Sequence, residues 1–426
     1  MTTRTFSETS LALTARLPPA KRGTGYRTVS VKSYSSSSSS ATDDETVEIP
    51  TDLNSREVLE FLGFDDAVGN EIFANWQASQ DDEIEDWVIG FARAYVEHMG
   101  RLYNAVDEDD EWDDALKKMG MSKDMRDRIL DPEFKDLRLT QSARYWVKDT
   151  INEAFYFLTT LSSRMEQRLA SQAPRVNSPD SSLPPRPAIR PEQSRGARGA
   201  SRGGRGGGQQ RGRGGGRGGR GGGQQPLPDG RAPHPPPERV ENRIMLFKGG
   251  LEARLERCFR DDRTVMFGPL QSKPPTDFHP ANSTYLYLTK YHDAALMYAN
   301  YAVRRTPEAK TAVLHVAVPN ELLSDSREIF GNDWRDLVWS SRNETVAEEN
   351  LRELPVSLRH YEESPILIGT ICKNPTEKIT LMSDKSQLEE LRRRASSKAS
   401  QYVIQSIPRQ REIASACKGF VWIVPV

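Results

Sequence analysis

The sequence is poor in cysteine and has no long apolar run, and both shortages narrow the class of protein. The three cysteines, Cys258, Cys372 and Cys417, lie far apart and show neither CxxC nor Cys/His ligand spacing. We therefore expect no disulfide framework and no metal site, and a reducing compartment, cytoplasmic or nuclear, is the default. No window of about 18 apolar residues occurs, so the chain is predicted not to span a membrane.

The net charge is close to zero, but charges of opposite sign are segregated along the chain. The formal net charge is −1. Between residues 48 and 168, 28 acidic and 14 basic residues give −14. Between residues 174 and 240, 13 arginines and 4 acidic residues give +9. Such asymmetry is typical of tails and linkers that contact nucleic acid or another part of the same protein.

Residues 1–47 are predicted to form a disordered tail or a targeting segment. The first 42 residues hold 6 basic residues and one acid, Glu8, and are rich in serine and threonine. That composition partly fits a mitochondrial transit peptide. Pro18 and Pro19 interrupt the short amphipathic stretch before them, and the serine run 35–40 is typical of disorder. A mitochondrial location therefore stays open beside the cytoplasmic or nuclear one.

Residues 48–173 are predicted to form an acidic all-α module with an unidentified protein partner. Apolar residues recur with the helical period in three segments, Val58–Trp76, Ile84–Leu102 and Ser142–Leu169. The acidic run from Asp107 to Asp114 lacks the glycine and the glutamate that an EF-hand calcium loop requires. We expect these acids to start a helix instead, where negative charge is favourable.

Residues 174–240 are predicted to be a disordered linker, Pro-rich at both ends and Gly/Arg-rich between, because almost nothing apolar can form a core. The segment 195–223 contains 16 glycines and neither an acid nor an aromatic residue. Glycine keeps the backbone open, so each guanidinium can contact a phosphate or an exposed base. Three interpretations remain open: binding of RNA or another polyanion, a flexible linker, and folding back on the acidic module. The RNA interpretation assigns the contacts to eight arginines: Arg195, Arg198, Arg202, Arg205, Arg211, Arg213, Arg217 and Arg220.

Residues 241–426 are predicted to form an α+β domain large enough for its own core. The predicted strands are short and rich in β-branched or aromatic residues: Ile244–Lys248, Tyr285–Thr289, Ala312–Val318, Ile366–Cys372, Tyr402–Ser406 and Phe420–Val424. The predicted helices are Gly250–Phe259, Asp293–Val303, Asn332–Ser341 and Ser386–Arg394.

The stretch Pro275–Arg304 is the most characteristic part of this domain. An Asp-Phe pair at 277–278 precedes the strand-like run 285–289 and a helix rich in alanine and tyrosine. Together with Leu246–Gly250, Trp334–Arg342 and Ser400–Ile404, the order and spacing resemble the uncharacterised ADP-ribosyltransferase-like domains, with a PARP-like fold, of many fungal proteins. The resemblance covers residues 243–424 only. It implies a split-sheet α+β fold that holds NAD in a cleft.

The resemblance also implies three functional positions. A His or Arg followed by Gly after the first strand binds the nucleotide in such domains, and Lys248-Gly249 stands there; lysine keeps the charge but lacks the planar guanidinium. An aromatic residue that stacks on nicotinamide corresponds to Tyr287, which strand alternation places equally well in the core. The catalytic glutamate corresponds to Gln401, whose neutral amide cannot supply the negative charge that stabilises the transition state.

Substitutions at two of the three positions predict a pseudoenzyme. The leading hypothesis is an interaction protein whose inactive ADP-ribosyltransferase-like domain binds a nucleotide, an ADP-ribose-like ligand or a protein. NAD or an ADP-ribose-like molecule is then the cofactor candidate. Two alternatives remain open. One is an active NAD-dependent transferase in which another acid, such as Glu389, Glu390 or Glu412, replaces the glutamate. The other is an RNA-binding factor driven by the Arg-Gly segment.

Overall fold

The computed structural model describes residues 25–30, 46–79, 87–103, 105–172, 235–260, 264–279, 283–393 and 397–426, with the backbone alone for 166–172. Most of the predicted N-terminal tail lies outside these residues. The same holds for the Pro-rich and Arg-Gly segments, including all eight arginines assigned to RNA contact. Within the described part of the chain, no helix is long and apolar enough to cross a membrane.

The N-terminal part is mainly helical, as the apolar periodicity indicates. Its elements are β1 (Tyr26–Ser30), β2 (Thr46–Pro50), α1 (Arg56–Phe61), α2 (Asp66–Ala78), α3 (Val88–Leu102), α4 (Asp109–Lys118), α5 (Lys123–Ile129), α6 (Lys135–Arg138) and α7 (Ala143–Gln172).

The strand β1 corrects the prediction that residues 1–47 form only a tail. β1 pairs antiparallel with β2, with Val29 opposite Val47, and Val29 and Ile49 are buried in the core of the helices. A five-residue strand whose partner lies fifteen residues away carries too little local pattern to be recognised.

Local signals explain where two of the helices begin. In α4 the acids Asp109, Asp110 and Glu111 occupy the first turn, as expected for the acidic run, and lysines occupy the last. The long helix α7 follows Ser142, whose hydroxyl accepts a hydrogen bond of 3.1 Å from the amide of Tyr145. The apolar face of α7, which includes Trp146, then packs against the rest of the core.

The C-terminal part is α+β, in agreement with the coarse prediction. Its elements are β3 (Arg243–Leu251), α8 (Glu252–Leu255), β4 (Leu286–Leu288), α9 (His292–Arg305), β5 (Thr311–Pro319), β6 (Arg327–Ile329), α10 (Gly331–Arg342), α11 (Glu344–Glu349), α12 (Arg359–Glu362), β7 (Ile366–Thr370), α13 (Thr376–Leu381), β8 (Ser400–Ile404), α14 (Ile407–Ala416) and β9 (Val421–Pro425).

These strands form two sheets that meet at their edges. One sheet has the order β3-β5-β9 and is antiparallel; the other has the order β4-β8-β7-β6, with only the β6–β7 pair parallel. The edge strands β3 and β4 touch through Phe247 and Thr289, which exchange backbone hydrogen bonds of 2.7 and 2.9 Å. This bridge brings Lys248 and Tyr287 into the same neighbourhood.

The predicted helix Ser386–Arg394 is wrong. After a short 3₁₀ turn the chain is extended, with Leu391 donating to the carbonyl of Ile371 at 2.8 Å and Ala399 donating to Leu391 at 2.9 Å. Leu388 and Leu391 are buried. Their spacing suits a helix face, but the residues that follow β7, Ile371–Lys373, offer backbone partners that local propensity does not reveal.

The helical and α+β parts share a core. The Tyr301 hydroxyl on α9 donates to the carbonyl of Ile129 on α5 at 2.9 Å, and its ring meets Trp146 of α7 edge-on at 4.9 Å. Leu251, Ala302 and their neighbours belong to the same buried cluster as the helices. The two predicted domains are therefore packed directly against each other.

Candidate ligand-binding site

All the residues predicted to form the ligand site line one cavity, at the junction of the helical and α+β parts. Lys248 and Gly249 come from β3, Tyr287 from β4 and Gln401 from β8, while α7 and α9 supply other walls. The cavity volume is about 140 Å³, room for roughly five water molecules. The structure thus brings the predicted positions together.

Lys248 is a partly buried cation on this cavity. Burial, followed by the nearby charge of Arg254, lowers the pKa of its ammonium group to about 8, while Asp149 and Glu153 oppose that shift. Its only protein hydrogen bond among the described residues is a long one, 3.5 Å from Nζ to the carbonyl oxygen of Tyr287. Two of its three donors are therefore available to a ligand.

Gly249 is required by the fold. A Cβ at this position would lie 1.8 Å from the carbonyl oxygen of Ala295, in the backbone of α9. The helix therefore packs onto β3 at a distance that only glycine allows. The resemblance assigned this glycine to nucleotide binding, but its tightest contact is with a helix.

Tyr287 combines the two interpretations left open by strand alternation. Its ring packs against the apolar cluster around Phe278, and the side chain also lines the cavity. Burial and the charge of Asp277 raise the pKa of its hydroxyl well above the ordinary value, with the Thr276 hydroxyl offsetting part of the effect. Tyr287 is therefore neutral and can donate one hydrogen bond.

Gln401 is held by a buried carboxylate. Its amide nitrogen donates to Asp277 Oδ2 at 2.9 Å, and the backbone amide of Cys372 donates to the same oxygen at 3.0 Å. The other oxygen of Asp277 is 2.9 Å from Arg342 Nη1. Arg342 is fully buried and also donates to the carbonyl of Thr140, in the helical part, at 3.0 Å.

This network determines what the Gln401 position can do. The carboxylate of Asp277 neutralises Arg342, so the Asp277–Arg342 pair brings no net negative charge to the cavity. The Gln401 amide is neutral and already committed to Asp277. Stabilising a developing positive charge requires a preorganised negative group, and the arrangement around Gln401 does not provide one.

Helix α7 contributes an acidic wall that sequence reasoning missed. Glu153 Oε1 accepts from Arg254 Nη1 at 2.6 Å, and Asp149 Oδ1 lies 3.3 Å from the same nitrogen. The other oxygen of Asp149 is 2.9 Å from Arg305 Nη2 on α9. Burial raises the pKa of Glu153 to about 7, although Arg254 favours its ionised form. Asp149 and Glu153 are four residues apart, and that spacing on a helix otherwise facing the core was the available signal.

Five buried side-chain atoms on this cavity have no partner within hydrogen-bond distance among the described residues, although the hydroxyls of Thr276 and Tyr287 are close enough to influence each other. They are Gln141 Oε1, Glu153 Oε2, Arg254 Nε, Thr276 Oγ1 and Tyr287 Oη. Leaving one such group unpaired costs about 1–3 kcal/mol. Because native proteins pair nearly all buried polar groups, five such atoms around one cavity indicate that polar molecules, water or a ligand, occupy it.

In the described part of the chain, the three acids considered as replacements for the catalytic glutamate lie away from the cavity. Glu389, Glu390 and Glu412 do not line the cavity; their ammonium or guanidinium partners are Lys373, Lys398 and Arg409, at 3.9, 2.5 and 3.1 Å.

Metal binding and thiol chemistry are not supported there either. The described residues contain no group of three or more His, Cys, Asp or Glu side chains that could hold a metal ion. Burial raises the pKa of the Cys372 thiol to about 12, which keeps it protonated and weakly nucleophilic at neutral pH.

Comparison with known proteins identifies no relative: no family model, no curated protein and no solved structure matches the chain.

Proposed function

We propose that the chain binds a small anionic, nucleotide-like ligand, of the ADP-ribose class, in the cavity between its helical and α+β parts and does not turn it over. The proposal includes an ADP-ribosyltransferase-like fold for the C-terminal part. The sequence resemblance implies a split sheet, and the described residues form two sheets that a bridge between the edge strands β3 and β4 connects, with the cavity beside that junction.

The observation that carries the proposal is the group of five unpaired polar atoms on a single cavity. They include donors and acceptors, which suits the hydroxyls of a ribose and the oxygens of a phosphate. Lys248 and Arg254 lie on the same cavity and supply positive charge. A small molecule can complete such a set inside a concave site, whereas a flat protein surface cannot reach these atoms.

The size of the cavity limits how much of a ligand it holds. At about 140 Å³ the cavity is close in size to one that holds a single benzene ring, about 150 Å³, and is smaller than typical ligand pockets, which begin at about 300 Å³. That volume suits a single ribose ring or a phosphate group. The remainder of an ADP-ribose or NAD molecule would extend beyond the cavity.

Catalysis is disfavoured by the same geometry. Cleavage of the bond to nicotinamide builds positive charge on the ribose, and losing one preorganised stabilising group commonly costs 100-fold to 1000-fold in rate, about 2.7–4 kcal/mol. Gln401 is neutral, and Asp277 is already paired with Arg342. We expect the protein to bind ADP-ribose and NAD and to release no nicotinamide.

Titration calorimetry with ADP-ribose tests the proposal in wild type, Tyr287→Phe and Tyr287→Ala. Removing only the hydroxyl should weaken binding by about 5-fold to 10-fold, the equivalent of one hydrogen bond of about 1–1.5 kcal/mol. It should lower the melting temperature of the free protein only slightly, because the hydroxyl has no partner within hydrogen-bond distance among the described residues. Removing the ring should weaken binding further. Equal affinity in all three proteins would contradict the proposal, and so would nicotinamide release from NAD that depends on Tyr287.

A second function rests on the sequence of the Arg-Gly segment. Eight arginines without any acid between 195 and 223 exceed what a flexible linker requires, and we propose that they contact RNA. Replacing the eight arginines with serine should abolish RNA crosslinks and flatten the dependence of affinity on salt. Crosslinks that persist after deletion of 195–223 would exclude this role.

A further inference from the structure

The cavity contains a cluster of charges contributed by both parts of the molecule. Lys248 on β3, Arg254 on α8 and Arg305 on α9 are its cations, and Asp149 and Glu153 on α7 are its facing carboxylates. With all five ionised the cluster carries one net positive charge. The Asp277–Arg342 pair is neutral by itself and does not change this balance.

The carboxylates of Glu153 and Asp149 accept hydrogen bonds from the same nitrogen of Arg254. Nη1 of Arg254 donates to Glu153 at 2.6 Å and to Asp149 at 3.3 Å, while Nε is buried without a partner among the described residues. Glu153 is similar, since Oε1 is bonded to Arg254 and Oε2 is unpaired. Glu153 is 3% exposed, so its charge depends on Arg254 rather than on water.

We propose that Lys248 and Arg254 form the subsite for the anionic group of the ligand, and that this anion displaces Glu153 from Arg254, so that binding adds a proton to Glu153. The inference rests on the proposed function. It assigns ligand contact to Arg254, and it makes α7 part of the site, because Asp149 remains to position Arg254 once Glu153 is protonated.

The charge balance favours proton uptake. One added negative charge neutralises the cluster, but a ligand with two charges, such as a sulfate or the diphosphate of ADP-ribose, leaves one in excess. Protonation of Glu153 removes that excess. The carboxyl is suited to it, because burial already raises its pKa to about 7, and an anion beside it raises the pKa further.

The groups that face Glu153 set the sign and the size of the pH dependence. Arg254 and Arg305 favour its ionised form, and Asp149 opposes it. Because the complex binds one more proton than the free protein, affinity falls as pH rises. Between about pH 6 and pH 8 the protonated fraction of a group with a pKa of about 7 falls roughly tenfold. Lys248, with a pKa of about 8, adds a further loss of about twofold at the upper end.

Calorimetry with sulfate and with ADP-ribose tests the inference, since neither probe titrates in this range. Titrations at about pH 6 and pH 8, in two buffers of different ionisation enthalpy, count the protons taken up. Wild type should bind both probes at least about tenfold more weakly at pH 8. It should take up about one proton or more from the buffer at pH 8 and few at pH 6, where Glu153 of the free protein is already mostly protonated. Glu153→Gln should bind as wild type does at pH 6, bind about tenfold more tightly than wild type at pH 8, and retain only the twofold loss due to Lys248.

Glu377→Gln is the matched control, because Glu377 is also a buried acid with an unpaired oxygen but does not line the cavity. It should behave as wild type at both pH values. If Glu153→Gln does not fold, the heats of wild type in the two buffers still decide the question. Binding that is independent of pH, without proton uptake, would overturn the inference and leave the proposed function standing. Failure of both probes to bind at either pH would overturn both.

Discussion

Replacing Gln401 with glutamate would introduce the residue type that the sequence resemblance predicts at this position, and the structure predicts that this substitution destabilises the protein. The amide that now donates to Asp277 Oδ2 at 2.9 Å would become a second carboxyl beside the first. Arg342 and the backbone amide of Cys372 already donate hydrogen bonds to Asp277.

The size of the destabilisation follows from the distance between the introduced carboxyl and the carboxylate of Asp277. Two unit charges about 3 Å apart repel by about 5–6 kcal/mol at an effective dielectric constant of 20. Protonating the introduced carboxyl avoids that repulsion and restores a donor to Asp277, at the cost of raising its pKa. The cost at pH 7 is then limited to the free energy of protonating a group whose ordinary pKa is about 4.3, which is about 3.7 kcal/mol.

The raised pKa also determines how the stability of Gln401→Glu changes with pH. The pKa of the introduced carboxyl is raised in the folded state, so the folded protein binds more protons than the unfolded one. Stability of Gln401→Glu relative to wild type should therefore fall as pH rises above about 4.3, until the raised pKa is passed. We expect a loss of about 3–4 kcal/mol at pH 7 and less than about 1 kcal/mol near pH 4.

Denaturant unfolding at several pH values measures this difference, with Gln401→Met as control. Methionine has a similar length and removes only the hydrogen bond to a charged acceptor, so its loss of about 1.5–3 kcal/mol should not vary with pH. Gln401→Glu should also release no nicotinamide from NAD, because its carboxyl is protonated at neutral pH. A variant as stable as wild type at pH 7, or one that hydrolyses NAD, would refute the reasoning.

Two further substitutions test the supports of the site. Gly249→Ala should destabilise the protein by more than about 3 kcal/mol, because the new Cβ meets the carbonyl of Ala295, whereas Gly250→Ala, with its nearest neighbour 4.0 Å away, should cost less than about 1 kcal/mol; thermal unfolding compares them. Arg342→Met should cost about 3–5 kcal/mol by leaving Asp277 buried and unpaired, and adding Asp277→Asn should recover part of the loss in a double-mutant cycle.

Local patterns in the sequence predict much of the α+β part. The strand-like run at 285–289, the alanine-rich helix after it and the apolar strand at 312–318 all correspond to observed elements. The helix has a periodic apolar face, and the strand at 312–318 is an apolar run that is buried on both faces. The resemblance also places Lys248, Tyr287 and Gln401 on what proves to be a single cavity.

Other features depend on partners far away in the chain. The strand β1 is stabilised by β2 and by the helical core, and the extended segment after 387 pairs with the residues that follow β7. Neither partnership leaves a periodic signal in the local sequence. The acids of α7 are also invisible as site residues, because their role depends on Arg254, which follows them by more than 100 residues.

The contacts of Gln401 also involve residues far away in the chain and could not be predicted from the local sequence. The sequence has a glutamine where the resemblance predicts a glutamate, but it does not reveal what that glutamine contacts. In the structure Asp277 accepts from Gln401 across 124 residues of sequence and links it to Arg342 and, through Thr140, to the helical part. Gln401 is thus part of a buried polar network, in which every partner must fit the others.

The most direct test of the account is titration of ADP-ribose into wild type, Lys248→Met and Lys290→Met, with nicotinamide release from NAD measured on the same samples. Lys290 is the matched control because it does not line the cavity. The account predicts saturable binding to wild type and Lys290→Met, binding at least about tenfold weaker to Lys248→Met through loss of a charged contact, and no nicotinamide release from any of them. Absence of binding to wild type, or equal affinity in all three proteins, would contradict it.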